Sequence, residues 1–210
     1  NPEADMAYNN LGALLVEQGR WREGIEYYRR AIKINPGHAY AHNNLAVLLA
    51  RLGRNREAIR FFRKAISLRP QTAGFHAGLA AALEDRGNPE EAISQYRRAV
   101  EIMPDLAAFR TDLARLLVRA GRDEEAIQHY RVALELDPSL NPARGNLANA
   151  LARRKNFSGA IRIYRAMIRE DPTAARVHYN LGLALELSGD REEGRRHLEE
   201  ACRLRPDYAA

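Results

Sequence analysis

Asparagine recurs along this chain at helical sites where better helix formers would be expected. Asn10, Asn44, Asn146 and Asn180 are separated by multiples of 34 residues, and Asp112 falls in the same register. A carboxamide carries two N–H donors and a carbonyl acceptor, so a row of them can hold both the N–H and the C=O groups of an extended peptide. Asn9, Asn43 and Asn149 stand beside the row. Two explanations are open: the amides serve a ligand, or the repeating pattern itself demands them. Other reactive residue types lead nowhere comparable. His42, His76 and His178 share one register, but no two have the spacing of metal ligands within a helix, so packing roles are expected. Cys202 is the only cysteine, which excludes an internal disulfide and a cysteine-based zinc cage. It stands where the other repeats have Ile32, Ile66, Val100, Leu134 and Ile168, and is expected in the core. No glycine-rich phosphate loop is present. The expectation is therefore binding without catalytic residues, metal or cofactor.

Amides can act together only if the backbone puts them in line, and the backbone is strongly periodic. Seven of the nine prolines fall at 2, 36, 70, 104, 138, 172 and 206, each 34 residues after the last, and only Pro89 and Pro142 lie outside that register. Such a period marks a repeat architecture. Six repeats follow, at 5–38, 39–72, 73–106, 107–140, 141–174 and 175–208. The seventh residue of each is Leu (Leu11, Leu45, Leu79, Leu113, Leu147, Leu181), and the eighth and twentieth are always Gly or Ala. The fifteenth is Gly except at Lys155, and the twenty-fourth is aromatic in five repeats: Tyr28, Phe62, Tyr96, Tyr130 and Tyr164.

Each unit reads as two helices. Tyr8, Leu11, Gly12 and Leu15 have the i, i+3, i+4, i+7 spacing of one helical face, and Ile25, Tyr28, Ala31 and Ile32 repeat it. The Gly at position fifteen ends the first helix, and the proline after the second prevents its continuation. Small residues at positions eight and twenty let the pair cross closely. Neither helix can bury its stripe alone, so repeats must stack. The expected architecture is all-α, one solenoid over 1–210.

These positions together resemble the tetratricopeptide repeat (TPR) from Asp5 to Tyr208. The resemblance implies a right-handed superhelix whose concave groove is lined by the first helices, and a role in binding a protein or peptide. Pentatricopeptide repeats, which bind RNA, run at 35 residues and fit the spacing less well. The asparagine register, especially Ala41 to Ala46, is similar to that of the repeat domain in protein O-linked N-acetylglucosamine transferases. Family members that hold chaperone C-termini use a Lys/Asn carboxylate clamp. The first three repeats keep only Asn44 of that set, whereas Arg115, Asn146, Arg176 and Asn180 imitate it in part with forked Arg groups.

On a helical wheel, positions two, five, six, nine, twelve and thirteen of the first helix face the groove. The candidate binding residues are thus Asn9, Asn10, Asn43, Asn44, Asp112, Arg115, Asn146, Asn149, Arg176 and Asn180, with the position-six asparagines expected to be exposed. Groove charge balances: Arg51, Arg115, Arg119, Arg153 and Arg176 oppose Glu17, Glu84, Asp85, Asp112 and Glu186. The net +6 of the chain therefore resides elsewhere, notably at position twenty-five (Arg29, Arg63, Arg97, Arg131, Arg165), expected to be a solvated outer face. Of 33 basic residues 30 are Arg, a bias that suits RNA binding and a GC-rich genome alike. A neutral groove with little aromatic surface beyond Tyr40 and Tyr179 argues against nucleic acid.

The apolar runs are too short to span a bilayer. Asn1 to Asp5 lacks the pattern of a secretory signal, favouring the cytoplasm. Pro2 in register suggests that Asn1 to Ala4 is the tail of an earlier repeat, whereas Arg195, where other repeats have Ile, suggests a natural terminus. Besides a peptide-binding scaffold, two further roles fit: a substrate-recruiting module of a larger enzyme such as a glycosyltransferase, and a protein that self-associates end to end.

Overall fold

A computed structural model describes residues 4–209; Asn1, Pro2 and Glu3 lie outside, and with them most of the segment read as the tail of an earlier repeat. Among the described residues there are twelve α-helices, one terminal 3-10 turn and no strand. They fall into two compact units divided between Asp105 and Leu106. The first holds α1 (Ala4–Glu17), α2 (Trp21–Ile34), α3 (Ala39–Arg51), α4 (Asn55–Leu68), α5 (Ala73–Asp85) and α6 (Pro89–Ile102). The second holds α7 (Ala107–Arg119), α8 (Asp123–Leu136), α9 (Asn141–Arg153), α10 (Phe157–Glu170), α11 (Ala175–Ser188), α12 (Arg191–Leu204) and the 3-10 turn Pro206–Ala209. Odd-numbered helices are the first of each repeat and even-numbered ones the second. Within each unit every helix packs on the next in sequence, and first helices also touch first helices: α1 with α3, α3 with α5, α7 with α9, α9 with α11. Each unit is thus a stack of three helix-turn-helix repeats of the α-solenoid kind.

The repeated small residues set the helix spacing. A Cβ placed on Gly182 would come within 2.9 Å of the Gly194 carbonyl oxygen, closer than real side chains approach. The aromatic at position twenty-four fills the space beside this contact: Tyr28, Phe62, Tyr96, Tyr130 and Tyr164 are all at most 4% exposed. Burying one such ring stabilises by about 1.5–3 kcal/mol, so these residues carry much of the core.

Five first helices end at a glycine with φ between 73° and 104°, and Lys155 takes the same left-handed conformation at φ 60°. An L side chain there costs roughly 1–2 kcal/mol. The repeat geometry thus overrides the local preference of one lysine.

Cys202 is half-buried rather than fully enclosed. Its register is generally so: Ile32, Ile66, Leu134 and Ile168 are half-buried too, and only Val100 is buried.

Candidate functional site

The position-four histidines are buried, at 5%, 6% and 6% exposure for His42, His76 and His178. Their Nε2 atoms lie 3.0, 2.9 and 3.1 Å from the carbonyl oxygens of Pro36, Pro70 and Pro172. A carbonyl only accepts, so each Nε2 carries the hydrogen and donates, tying the first helix of one repeat to the end of the repeat before it. On the other side of the ring, His76 Nδ1 lies 2.8 Å from Gln95 Oε1 and His178 Nδ1 lies 2.9 Å from Nδ1 of His197.

Along the first helices of the first unit, the four candidate asparagines form a chain. Asn43 Nδ2 donates to Asn44 Oδ1 (3.4 Å), Asn44 Nδ2 donates across the repeat boundary to Asn9 Oδ1 (3.0 Å), and Asn9 Nδ2 donates to Asn10 Oδ1 (3.4 Å). Beside this chain a hollow of about 240 Å³ opens between the first two repeats, lined by Ala13, Val16, Glu17, Tyr28, Asn44, Val47, Leu48 and Arg51.

The second unit repeats this arrangement with different chemistry. A hollow of about 310 Å³ between the last two repeats is lined by Asn149, Ala152, Arg153, Tyr164, Asn180, Leu183, Ala184 and Leu187, the same repeat positions as in the first. Asn149 Oδ1 accepts from both the Tyr164 hydroxyl (2.6 Å) and Asn180 Nδ2 (2.9 Å). Burial pushes the Tyr164 hydroxyl up to about 12, with Arg176 drawing it slightly back. Tyr130 is also raised to about 12 by burial, against a hydrogen bond to Asn146 and the nearby charge of Arg115. Arg115 lies 3.8 Å from Asp112, so a ligand carboxylate there would compete with an acid already in place. The unit-two hollow is the more apolar, with Leu183 38% and Leu187 69% exposed, and its Arg153 donates to Asp123 (3.1 Å).

The exposure expected for the position-six asparagines needs correction. Asn10 is exposed, but Asn44, Asn146 and Asn180 are half-buried, and Asn9 is buried. Asn9, Asn44, Asn146 and Asn180 each meet a polar group of a neighbouring repeat, so their amides are partly committed within the chain. Position six of the third repeat is Gly78, where a Cβ would sit 2.5 Å from Phe62 Cε1. The position-twenty-four ring reaches under position six of the next repeat. In the second unit Tyr130 precedes Asn146 and bonds it. Phe62 has no hydroxyl to offer and leaves room only for hydrogen. Tyr130, Tyr164, Leu183 and Leu187 are the site residues that sequence reading missed. Pairing each position-twenty-four residue with position six of the following repeat would have exposed the tyrosines.

The second-helix arginines are likewise more than a solvated face. Arg63 donates to Glu91 (2.6 Å) and Arg165 to Glu193 (2.6 Å), bridging successive repeats. No helix among the described residues is long and apolar enough to cross a membrane.

Stacked helix pairs with recurrent, repeat-bridging hollows define an α-helical repeat protein. The models that match describe the tetratricopeptide repeat, over residues 3–71 and 72–139 and over 146–209, and the chain belongs to that family. Its members generally act as binding scaffolds rather than catalysts. No curated protein matches the chain significantly. Among solved structures, YrrB, described as a TPR protein with an unusual peptide-binding site, superposes with a TM-score of 0.80 at 24% identity, covering 87% of this chain and 94% of that one. PilF of Pseudomonas aeruginosa gives 0.78 at 21% identity, covering 98% and 93%. A tetratricopeptide repeat protein from Parabacteroides merdae gives 0.79 at 17% identity, covering 98% and 86%. At these identities the likeness is one of fold.

Proposed function

We propose that this chain is a protein-interaction scaffold that holds an extended partner segment along the first-helix face. In this reading the half-buried asparagines offer their remaining amide valences to the partner backbone, and an apolar partner side chain enters the hollow beside Leu183 and Leu187. The observation that carries it is the recurrence of the same hollow, at the same repeat positions, in both units. The peptide-binding site for which YrrB is described supports it by analogy. The unit-two hollow, with its exposed leucines, fits a segment carrying a large apolar residue. A photo-crosslinking residue placed at Leu187, at Val47 or, as control, at exposed Arg131 tests this in cells. Partner peptides joined through positions 187 and 47 but not 131 are expected. Crosslinking predominantly from position 131 would move the working surface to the second helices and end this reading.

A further inference from the structure

His42 differs from its two counterparts in one respect: its Nδ1 is buried and has no hydrogen-bond partner. The reason lies at position twenty-three. There Gln95 faces His76 and His197 faces His178, each a side chain able to hydrogen-bond the ring nitrogen. Phe61 occupies that place opposite His42, its ring centroid 5.9 Å away, and has nothing to donate. A buried acceptor left without a donor is costly, so its persistence calls for a partner.

The surroundings are cationic. His42 and Phe61 form part of the wall of a pocket of about 300 Å³, completed by Arg29, Arg60, Lys64 and Glu57. Glu57 is already held by the guanidinium of Arg54, at 2.7 and 2.9 Å. In the next repeat Asn88 stands in place of Arg54, and Glu91 is free to take Arg63. Arg54 thus draws away the acid that would otherwise pair with Arg29. The pocket is left with three cations, one neutralised carboxylate and a buried lone pair. Burial, helped by the charges of Lys64 and His38 and opposed by the bond to Pro36, lowers the His42 pKa, so the ring stays neutral and accepting.

We propose that this pocket binds a phosphoryl group in a protonated form, whose anionic oxygens meet Arg29, Arg60 and Lys64 while its O–H donates to His42 Nδ1. The covered nitrogen becomes reachable when the Phe61 ring swings aside. The site lies on the second-helix side of the first unit and is independent of the reading given under Proposed function.

Sulfate discriminates, because it matches phosphate in size and charge but carries no proton near neutral pH. Titrations of the whole chain with inorganic phosphate, phenyl phosphate and sulfate at constant ionic strength, followed by the NMR shifts of the His42 ring nitrogens, form the test. Saturable phosphate binding with a preference over sulfate of about tenfold is expected, the effect of one good hydrogen bond. Phe61→Gln reproduces the Gln95–His76 pair; it should keep the fold and abolish the preference. Lys64→Gln should weaken both anions while leaving their ratio unchanged. Non-saturating shifts, equal response to sulfate and phosphate, or an unaltered preference in Phe61→Gln would each overturn the proposal, the first two by showing general charge attraction only. Phenyl phosphate, a dianion without an O–H near neutral pH, should behave like sulfate; its binding as tightly as inorganic phosphate would also overturn the proposal.

Discussion

Replacing Asn149 with alanine tests whether the amides bind repeats together. The side chain accepts two hydrogen bonds through one oxygen, from Tyr164 at 2.6 Å and from Asn180 at 2.9 Å. Tyr164 is 2% exposed, so its hydroxyl loses its acceptor in a place that water reaches poorly. Stranding a buried donor of this kind costs about 1–3 kcal/mol. Asn180 is half-buried and regains water at little cost. Alanine is the better helix former by up to roughly 0.7 kcal/mol, which offsets part of the loss. The net destabilisation should be about 1–2 kcal/mol. It should largely vanish when Tyr164→Phe removes the donor as well, because deleting both partners of a bond is far cheaper than deleting one. A double-mutant cycle therefore yields a coupling of about 1–2 kcal/mol. Repeat arrays open locally, so hydrogen exchange of α9 to α11 amides is the assay, with urea denaturation by circular dichroism beside it. Asn10→Ala is the contrast: Asn10 is exposed and has only a 3.4 Å contact with Asn9, so its change should be neutral or slightly stabilising. If Asn149→Ala exchanges like the unmutated chain, or if the two changes are simply additive, the amide network contributes nothing to stacking and the reasoning fails.

Three further outcomes follow from the same structure. Lys155→Gly should stabilise by about 0.5–1 kcal/mol in urea melts, the relief at φ 60° exceeding the added chain entropy; a loss of stability would contradict it. Gly78→Asn should destabilise by about 1–3 kcal/mol by forcing the Phe62 ring aside, and a folded, equally stable variant would show that the ring yields freely. His42 and His197 both have pKa values lowered chiefly by burial, so the unfolded chain binds protons more readily than the folded one. Their stabilising contribution is complete above the unfolded value of 6.5 and is lost as pH falls below it through the depressed folded values. The melting temperature should therefore begin to fall between pH 6.5 and 5, before the lowered carboxylates titrate, and His42→Gln should flatten that part of the profile. A melting temperature level across that range would show that neither ring is held neutral by the fold.

What could be read from the sequence and what could not divides along a physical line. Positions seven, eight, twenty and twenty-four report single-residue demands, such as a buried leucine or a close helix crossing, and these recur in nearly every repeat. Leu45, Leu79, Leu113, Leu147 and Leu181 are all at most 6% exposed, as one register demands. Leu11, at 38%, departs because no helix precedes it among the described residues. The site depends instead on pairs of positions in adjacent repeats. Whether Asn at position six faces solvent or a neighbour depends on the hydroxyl beneath it and on the amides alongside, as Asn180 shows against Asn10. Whether the arginine at position twenty-five bridges repeats depends on position sixteen of the next one. Arg54 captures Glu57, whereas Asn88 and Asp190 leave Glu91 and Glu193 to Arg63 and Arg165. Whether a position-four histidine is satisfied depends on position twenty-three, where Phe61 replaces the partners found in Gln95 and His197. A repeat makes each single position legible by repetition, but it hides these pairs, because the second member varies while the first stays constant. The proposed anion pocket therefore follows from departures in the varying partner: the loss of a hydrogen-bonding side chain at Phe61 and one acid drawn off by Arg54 set His42 apart from the two histidines that share its register.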